Sequence, residues 1–163
     1  MKKKVVTIIL AVLAVAALLF CLIYTRPRTL ESIIGEETPT TVIASTNANA
    51  VANGQISSDR WELTDQQESD PAVCARIMEL LESTKYRLSL VSLTRPNMVS
   101  GNGGGNTMLT LFFQDGYFVS LDCLGSVVAI NLHDSRGFLV ASAIDEEMLT
   151  ELSGYIAQIG EKP

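Results

Sequence analysis

The sequence predicts an α+β protein: an N-terminal transmembrane helix, then a mainly antiparallel sheet of about five strands with two helices packed on one face. Three observations predict this architecture. An apolar run opens the chain, two later segments place apolar residues at helical spacing, and several short segments alternate apolar and polar residues. Because domains usually contain ~100–150 residues, the 163 residues have room for one globular domain.

The apolar run extends from Val5 to Tyr24 and contains a single polar residue, Thr7. A helix of this length spans ~30 Å at about 1.5 Å per residue, which is the thickness of the hydrocarbon core of a bilayer. We therefore interpret residues 1–28 as a cytoplasmic lysine tip and a signal anchor, and the bilayer is the predicted partner of residues 5–24.

Two alternatives to an uncleaved anchor remain open at this stage. A cleaved signal would need a small-x-small site, and the best match, Ala14 to Ala16, lies inside the run rather than after it. A lipoprotein would be acylated at Cys21, but Phe20 stands where such sites carry a small residue. Both alternatives fit the sequence less well than an anchor does.

The charge distribution predicts the orientation of the chain and excludes one class of partner. Three lysines precede the apolar run and two arginines follow it, so the positive-inside rule favours a cytoplasmic N-terminus and an extracytoplasmic C-terminal domain. From Thr29 onward the chain carries 18 acidic and 7 basic residues, a net charge of −11. Because phosphate binding depends on clustered Lys and Arg, we expect no nucleic-acid partner.

Residues 29–54 are poor in large apolar residues and are predicted to form a flexible stalk, in which Thr41 to Ala44 could form a short edge strand. The extracytoplasmic α+β domain is then predicted to occupy residues 55–163. It opens with a weak strand around Trp61.

Two helices are predicted in this domain. Asp70 is a typical N-cap, Pro71 suits the first helical position, and apolar residues follow at helical spacing as far as Thr84. The second helix is predicted to begin at Asp145, with acidic residues at the positive end of its dipole, and to stop at Gly160.

The strongest strand signal is a hairpin that joins residues 107–113 to residues 117–123. A three-residue loop with Gly116 in the left-handed conformation places all the large aliphatic residues of both strands on one face, whereas a two-residue loop mixes polar and apolar residues. We therefore predict the three-residue loop. Further strands are predicted from Tyr86 to Thr94, from Val128 to His133 and from Phe138 to Ser142.

Potential catalytic groups are few. His133, Asp134 and Ser135 are the residue types of a hydrolase triad, but adjacent residues at the end of a strand point in different directions, so we interpret them as a turn. Cys74 and Cys123 are predicted to be buried. They are either free thiols or a helix-to-sheet disulfide, which an exported location permits.

No motif for a metal or cofactor is present. The chain has one histidine, no CxxC pair and no Asp-rich calcium loop, and the acidic residues 145–147 are better explained as helix capping. The glycine-rich segment 100–106 lacks the lysine of a phosphate-binding loop, which makes it a connection between strands. We expect neither a metal nor a cofactor.

The pattern of these elements has a counterpart in bacteria. A Lys-led anchor, a polar stalk and a strand-helix-strand unit (residues 61–65, the Pro71 helix and residues 86–94) resemble the small uncharacterised membrane-anchored extracytoplasmic domains of Gram-positive bacteria. The resemblance covers residues 55–142 in pattern and has no diagnostic motif. It implies a location and a style of fold, and it transfers no activity and no site residue.

One pair of residues suggests a binding surface. The register that buries the aliphatic residues of the hairpin turns Phe112 and Phe118 to the opposite face, where a protein, peptide or glycan outside the cell could dock unless another segment covers them. The sequence thus favours a membrane-tethered binding module without catalytic activity. The alternatives are an envelope enzyme that uses carboxylates such as Asp122 and Asp134, and a structural subunit of a membrane complex.

Overall fold

The computed structural model describes residues 2–52, 55–90, 106–124, 126–133, 137–145 and 147–163. Its helices are α1 (Lys2–Tyr24), α2 (Glu31–Ile34), α3 (Asp65–Glu68), α4 (Pro71–Glu82) and α5 (Glu147–Ile159). Its strands are β1 (Thr41–Ala52), β2 (Gln55–Glu62), β3 (Tyr86–Leu88), β4 (Asn106–Phe112), β5 (Phe118–Leu124), β6 (Val127–Asn131) and β7 (Phe138–Ala143).

The strands form one antiparallel sheet in the order β2-β1-β4-β5-β6-β7-β3. Alternate residues of these strands are buried together with one side of α2, α4 and α5, so the core lies between the helices and one face of the sheet. The α+β class is confirmed. The described sheet has seven strands rather than about five, and α2 and α3 are helices that the sequence did not predict.

The local signals around α4 are confirmed. Asp70 has extended backbone dihedrals and its carboxylate accepts a hydrogen bond from the Ala72 N–H at 2.8 Å, which caps the helix in front of Pro71. The helix ends at Glu82, two residues before the predicted end. The strand after it, β3, ends at Leu88, and the predicted continuation from residue 91 to residue 94 lies outside the described residues.

The predicted hairpin register is confirmed. Leu111 lies opposite Val119, the Phe113 N–H donates to the Tyr117 carbonyl at 2.9 Å, and Gly116 has a φ of 82°. The loop is therefore residues 114–116, and glycine is required because an L-residue with a side chain is strained at such a φ. This register directs Leu109, Leu111, Val119 and Leu121 into the core.

The prediction that residues 29–54 form a flexible stalk is wrong for the described residues. Leu30, Ile33 and Ile34 are buried, and β1 is a strand of 12 residues in the interior of the sheet, between β2 and β4, rather than a short edge strand at residues 41–44. Few apolar residues suffice here because residues 41–46 of β1 pair with β4 and residues 45–52 pair with β2, which satisfies backbone hydrogen-bonding groups along the whole strand. The folded domain therefore begins well before residue 55.

The first helix, α1, is long and apolar enough to cross a membrane. Its 23 residues span ~35 Å at about 1.5 Å per residue. The described apolar side chains from Val5 to Ile23 are exposed, apart from the half-buried Cys21, so α1 is not a core helix of the domain. A secretory signal near the N-terminus can also be long and apolar enough to meet this criterion.

The junction between α1 and the domain is short and hydrogen-bonded. The Thr25 hydroxyl donates to the Cys21 carbonyl at 2.8 Å, and one guanidinium nitrogen of Arg28 donates to the Ile23 carbonyl at 3.3 Å. Arg28 then pairs with Tyr86 on the outer edge of β3 through two backbone hydrogen bonds of 2.9 and 2.7 Å. The chain thus enters the sheet immediately after the helix.

Candidate functional site

One face of the sheet carries no described helix, and we call it the open face. It consists of the side chains that alternate with the buried ones along the central strands, including Ile43, Met108, Thr110, Phe112, Phe118, Ser120, Asp122 and Asn131. Ile43 is 45 % exposed and Met108 is 53 % exposed. Apolar side chains therefore reach solvent on the side of the sheet that the core does not use.

Three rings stack in a row across the open face. The ring centroids of Phe112 and Phe118 are 5.5 Å apart, and those of Phe118 and His133 are 4.0 Å apart, with interplanar angles of 22° and 28°. Both phenylalanines are half-buried rather than fully exposed, because each ring covers part of its neighbour. The sequence predicted the phenylalanine pair on this face, and the structure adds His133 to it.

Two hydroxyl groups border the rings. The Ser120 Oγ lies 3.3 Å from His133 Nε2 and 3.4 Å from the Thr110 Oγ1, and the His133 backbone N–H donates to the Asn131 side-chain oxygen at 3.2 Å. His133 has a φ of 49°, an uncommon conformation for a residue other than glycine. The contact to Ser120 thus helps to hold the imidazole ring against Phe118.

The contact between Ser120 and His133 has the residue types of a nucleophile and its base. Catalysis would also need a group that orients the histidine and a place for the reacting carbonyl. No hydrogen bond joins His133 to a carboxylate among the residues that the structure describes, and Ser120 lies in the middle of a strand. Asp134 and Ser135, the other members of the triad considered above, lie outside the described residues.

The sequence reasoning missed the role of His133 as a neighbour of Phe118. Strands β5 and β6 pair Leu124 with Val127 and Ser120 with Asn131, so the continued register places His133 directly opposite Phe118. The Gly-Ser dipeptide that follows Leu124 in the sequence is a turn signal, and read together with the hairpin register it would have indicated this neighbour. The signal was present, but it depended on fixing the registers of two hairpins in succession.

Asp122 is the one acidic side chain that we identify within the open face. It lies between Met108 on β4 and Ala129 on β6, and burial raises the pKa of its carboxyl group. Its Oδ1 is fully buried and has no hydrogen-bond partner among the described residues. Burial of the carboxyl group and the unpaired Oδ1 therefore both destabilise the charged form of this side chain.

Replacing Asp122 with asparagine should make the folded protein more stable at neutral pH by about 1 kcal/mol, because a neutral amide costs less to bury than an unpaired carboxylate. The pKa of Asp122 is higher in the folded protein than in the unfolded chain. The charged side chain therefore lowers the stability of the wild type above the folded pKa and has no such effect at low pH. The advantage of Asp122→Asn should therefore vanish as the pH falls below about 4. Urea unfolding of the full chain in detergent, followed by Trp61 fluorescence at several pH values, measures both variants.

Asp59→Asn is the matched control, since Asp59 is exposed and pairs with Lys162 at 3.0 Å. This change should leave stability unaltered or slightly lower. If Asp122→Asn instead lowered stability at neutral pH, Asp122 would have a partner for its charged form, and our account of this side chain would be wrong.

A second feature is a cleft of about 290 Å³ at the tip of the β4–β5 hairpin, on the helix side of the sheet. Its lining residues are Ile34, Gly35, Glu36, Glu37, Phe113, Asp115 and Tyr117. The Asp115 carboxylate accepts a hydrogen bond from the Tyr117 N–H at 2.8 Å, which stabilises the loop. The cleft is acidic, as an enzyme that uses carboxylates would require, but Asp122 is not among its lining residues.

The two cysteines of the domain are buried free thiols, so the disulfide alternative is wrong. The Cys74 thiol donates to the Glu68 carbonyl at 3.4 Å, and burial raises its pKa. Burial also raises the pKa of Cys123 to about 12. Both thiols are therefore neutral at physiological pH, and Cys123 faces the core whereas His133 lies on the open face.

No three of the described His, Cys, Asp and Glu side chains converge in a way that would hold a metal ion. The binding role of Phe112 and Phe118 stays a prediction. Comparisons with protein-family models, curated proteins and solved structures give no match for this chain, so its class rests on its own fold: an α+β domain with an N-terminal helix able to span a membrane.

Proposed function

We propose that the chain is a single-pass membrane protein whose extracytoplasmic domain binds a protein, peptide or glycan through the open face, without catalysing a reaction. The observation that carries the proposal is the stack of Phe112, Phe118 and His133, bordered by the hydroxyl of Ser120. Planar rings beside hydroxyl groups suit partners that combine apolar surface with hydrogen-bonding groups.

The anchor is supported by the length and exposure of α1 and by its junction with the domain. Three lysines precede the helix, so we infer a cytoplasmic N-terminus and a domain on the opposite side of the membrane. Tyr24, in the last turn of α1, packs against the core of the domain. The end of the helix therefore supports the fold, which favours an anchor over a segment that is removed.

The exposed apolar side chains of the open face support its proposed role as the binding surface. Ile43 and Met108 lie on β1 and β4, two strands whose opposite sides are buried under the helices. The half-buried rings are held in place by stacking, so binding would cost little side-chain entropy. A rigid aromatic centre is typical of surfaces in which a few residues supply most of the affinity.

The proposal can be tested with a photoreactive phenylalanine analogue in place of Phe118 in intact cells. We expect a defined covalent adduct on irradiation, and Phe112→Ser should lower its yield roughly tenfold because an aromatic anchor of the interface is lost. Protease added outside intact cells should digest the adduct. Trp61 fluorescence in the Phe112→Ser variant shows whether the domain is still folded.

Ile144 is the matched control position, since it is 52 % exposed and belongs to the loop after β7. The same analogue at Ile144 should give no defined adduct. Equal adducts at both positions, or a Phe118 adduct that Phe112→Ser does not change, would contradict a binding role for the open face. Protection of the adduct from external protease would contradict the extracytoplasmic location.

The raised pKa of Asp122 favours a second candidate, an envelope enzyme that uses a carboxyl group for acid–base chemistry. Such an enzyme needs a second group within reach of the same substrate. Asp122 does not line the acidic cleft at Asp115, so the cleft does not supply this second group. We therefore place binding first.

A further inference from the structure

The edge of the domain that carries β3 lies close to the end of α1. Only Thr25, Arg26 and Pro27 separate Tyr24, the last residue of the helix, from Arg28, which pairs with Tyr86. Because an extended chain spans at most ~3.6 Å per residue, the Cα atoms of Tyr24 and Arg28 are no more than about 14 Å apart. The junction therefore leaves the domain little freedom to move away from the helix.

This distance places β3 near the surface of the bilayer. The headgroup region adds ~5–8 Å on each side of the hydrocarbon core. If α1 spans that core as far as Tyr24, the outer edge of β3 lies within the headgroup region or directly above it. The inference thus rests on the anchor that forms part of the proposed function.

The side chains at this edge are basic. Lys85 and Arg87 flank Tyr86, and both are exposed while Tyr86 is fully buried. Since side chains alternate along a strand, Lys85 and Arg87 project away from the core on the same side of β3. Arg26, in the junction between α1 and Arg28, is also exposed.

Ion pairing distinguishes these two cations from the other described basic residues that follow Thr29. Each of the others pairs with a carboxylate: Arg60 with Glu62, Arg76 with Glu79 and Lys162 with Asp59. Lys85 and Arg87 have no ion pair with a carboxylate in the part of the chain that the structure describes. The unpaired positive charge of an otherwise acidic domain is thus found at the edge nearest the helix.

We propose that the β3 edge, through Lys85 and Arg87, docks on the anionic phospholipid headgroups of the membrane that holds α1. The short junction keeps these side chains near the lipid phosphates, whose charge complements the two unpaired cations. Without Lys85 and Arg87, residues 29–163 carry 5 basic and 18 acidic residues, and this net charge of −13 opposes contact through any other edge. Docking would fix the orientation of the domain above the bilayer.

The full chain, reconstituted in phosphatidylcholine nanodiscs with or without phosphatidylglycerol, tests this proposal. The measurement is the acylation rate of each lysine by a water-soluble reagent, resolved by mass spectrometry. Each Lys or Arg near an anionic surface strengthens binding to that surface roughly fivefold. Lys85 should therefore react about five- to 25-fold more slowly in the anionic discs than in discs of phosphatidylcholine alone. The rate at Lys162, which lies beside Trp61 on β2, should not change.

Two variants sharpen the test. Arg87→Gln should reduce the protection of Lys85 roughly fivefold, whereas Arg76→Gln, which removes a paired arginine, should leave it unchanged. High salt should abolish the protection, because it screens exposed charges. Arg87 is exposed, so its replacement should not unfold the domain.

Equal Lys85 rates in the two kinds of disc, with the protein recovered in the disc fraction, would overturn the docking proposal and leave the anchor intact. Protein that fails to enter the discs would overturn both the anchor and the docking. Equal protection by inorganic phosphate in phosphatidylcholine discs would show a site for free phosphate, and docking on lipid would then be wrong.

Discussion

Replacing Tyr86 with alanine is expected to lower the free energy of unfolding by about 4 kcal/mol, the largest effect of any single change considered for this chain. Tyr86 is fully buried, and its hydroxyl donates to the Leu81 carbonyl at 2.7 Å. That carbonyl belongs to the last turn of α4, where no helical partner exists for it. The alanine variant loses both the packing of the ring and this hydrogen bond.

Tyr86→Phe separates the two contributions, because it keeps the ring and removes the hydroxyl. It should cost about 1–2 kcal/mol, since the Leu81 carbonyl is left buried without its donor. Burial raises the pKa of Tyr86, so the stability that the tyrosine provides is present below its unfolded pKa of about 10 and is lost as the pH rises above it. The difference between wild type and Tyr86→Phe should therefore shrink at strongly alkaline pH.

Denaturant unfolding of the full chain in detergent, followed by the fluorescence of its single tryptophan, Trp61, measures these effects. Leu90→Ala is the control, because Leu90 is 40 % exposed and should cost well under 1 kcal/mol. If Tyr86→Ala were no more destabilising than Leu90→Ala, β3 would not be held against the core as described.

Leu30→Ala should lower the free energy of unfolding by about 3 kcal/mol, because Leu30 is fully buried and the smaller side chain leaves a cavity beneath α2. A flexible stalk would predict no effect at this position. The result thus decides whether residues 29–40 belong to the core. The same fluorescence measurement applies.

The control for Leu30 is Ile43→Ala, which removes a side chain of equal volume from the exposed side of β1 and should cost less than about 1 kcal/mol. Equal effects of the two changes would mean that Leu30 is not packed, and the description of α2 as part of the core would have to be withdrawn.

Signals carried by neighbouring residues were sufficient to predict several elements. Asp70 and Pro71 specify the start of α4 because the cap is formed within one turn of the helix. Gly116 and the alternation around it specify the β4–β5 hairpin because only one loop length places Leu109, Leu111, Val119 and Leu121 on one face. Phe112 and Phe118 were placed together on the open face by the same argument.

Pairing between distant segments was not predictable in this way. Val42 and Leu111 are opposite each other on β1 and β4 but 69 positions apart in the chain, and nothing near Val42 in sequence marks it as part of an interior strand. A polar segment with few apolar residues resembles a disordered linker until its partner strands are known. The buried residues of α2 were missed for the same reason.

The sequence by itself determined the apolar N-terminal helix, the α+β class, the helix cap at Asp70 and the hairpin register, because each depends on contacts within or between adjacent segments. Only the tertiary structure decided that residues 29–52 belong to the fold, that His133 joins the phenylalanine pair, and that Arg28 pairs with Tyr86 beside the helix. These features depend on the register of non-adjacent segments, which is set by the burial of the whole core rather than by any local pattern.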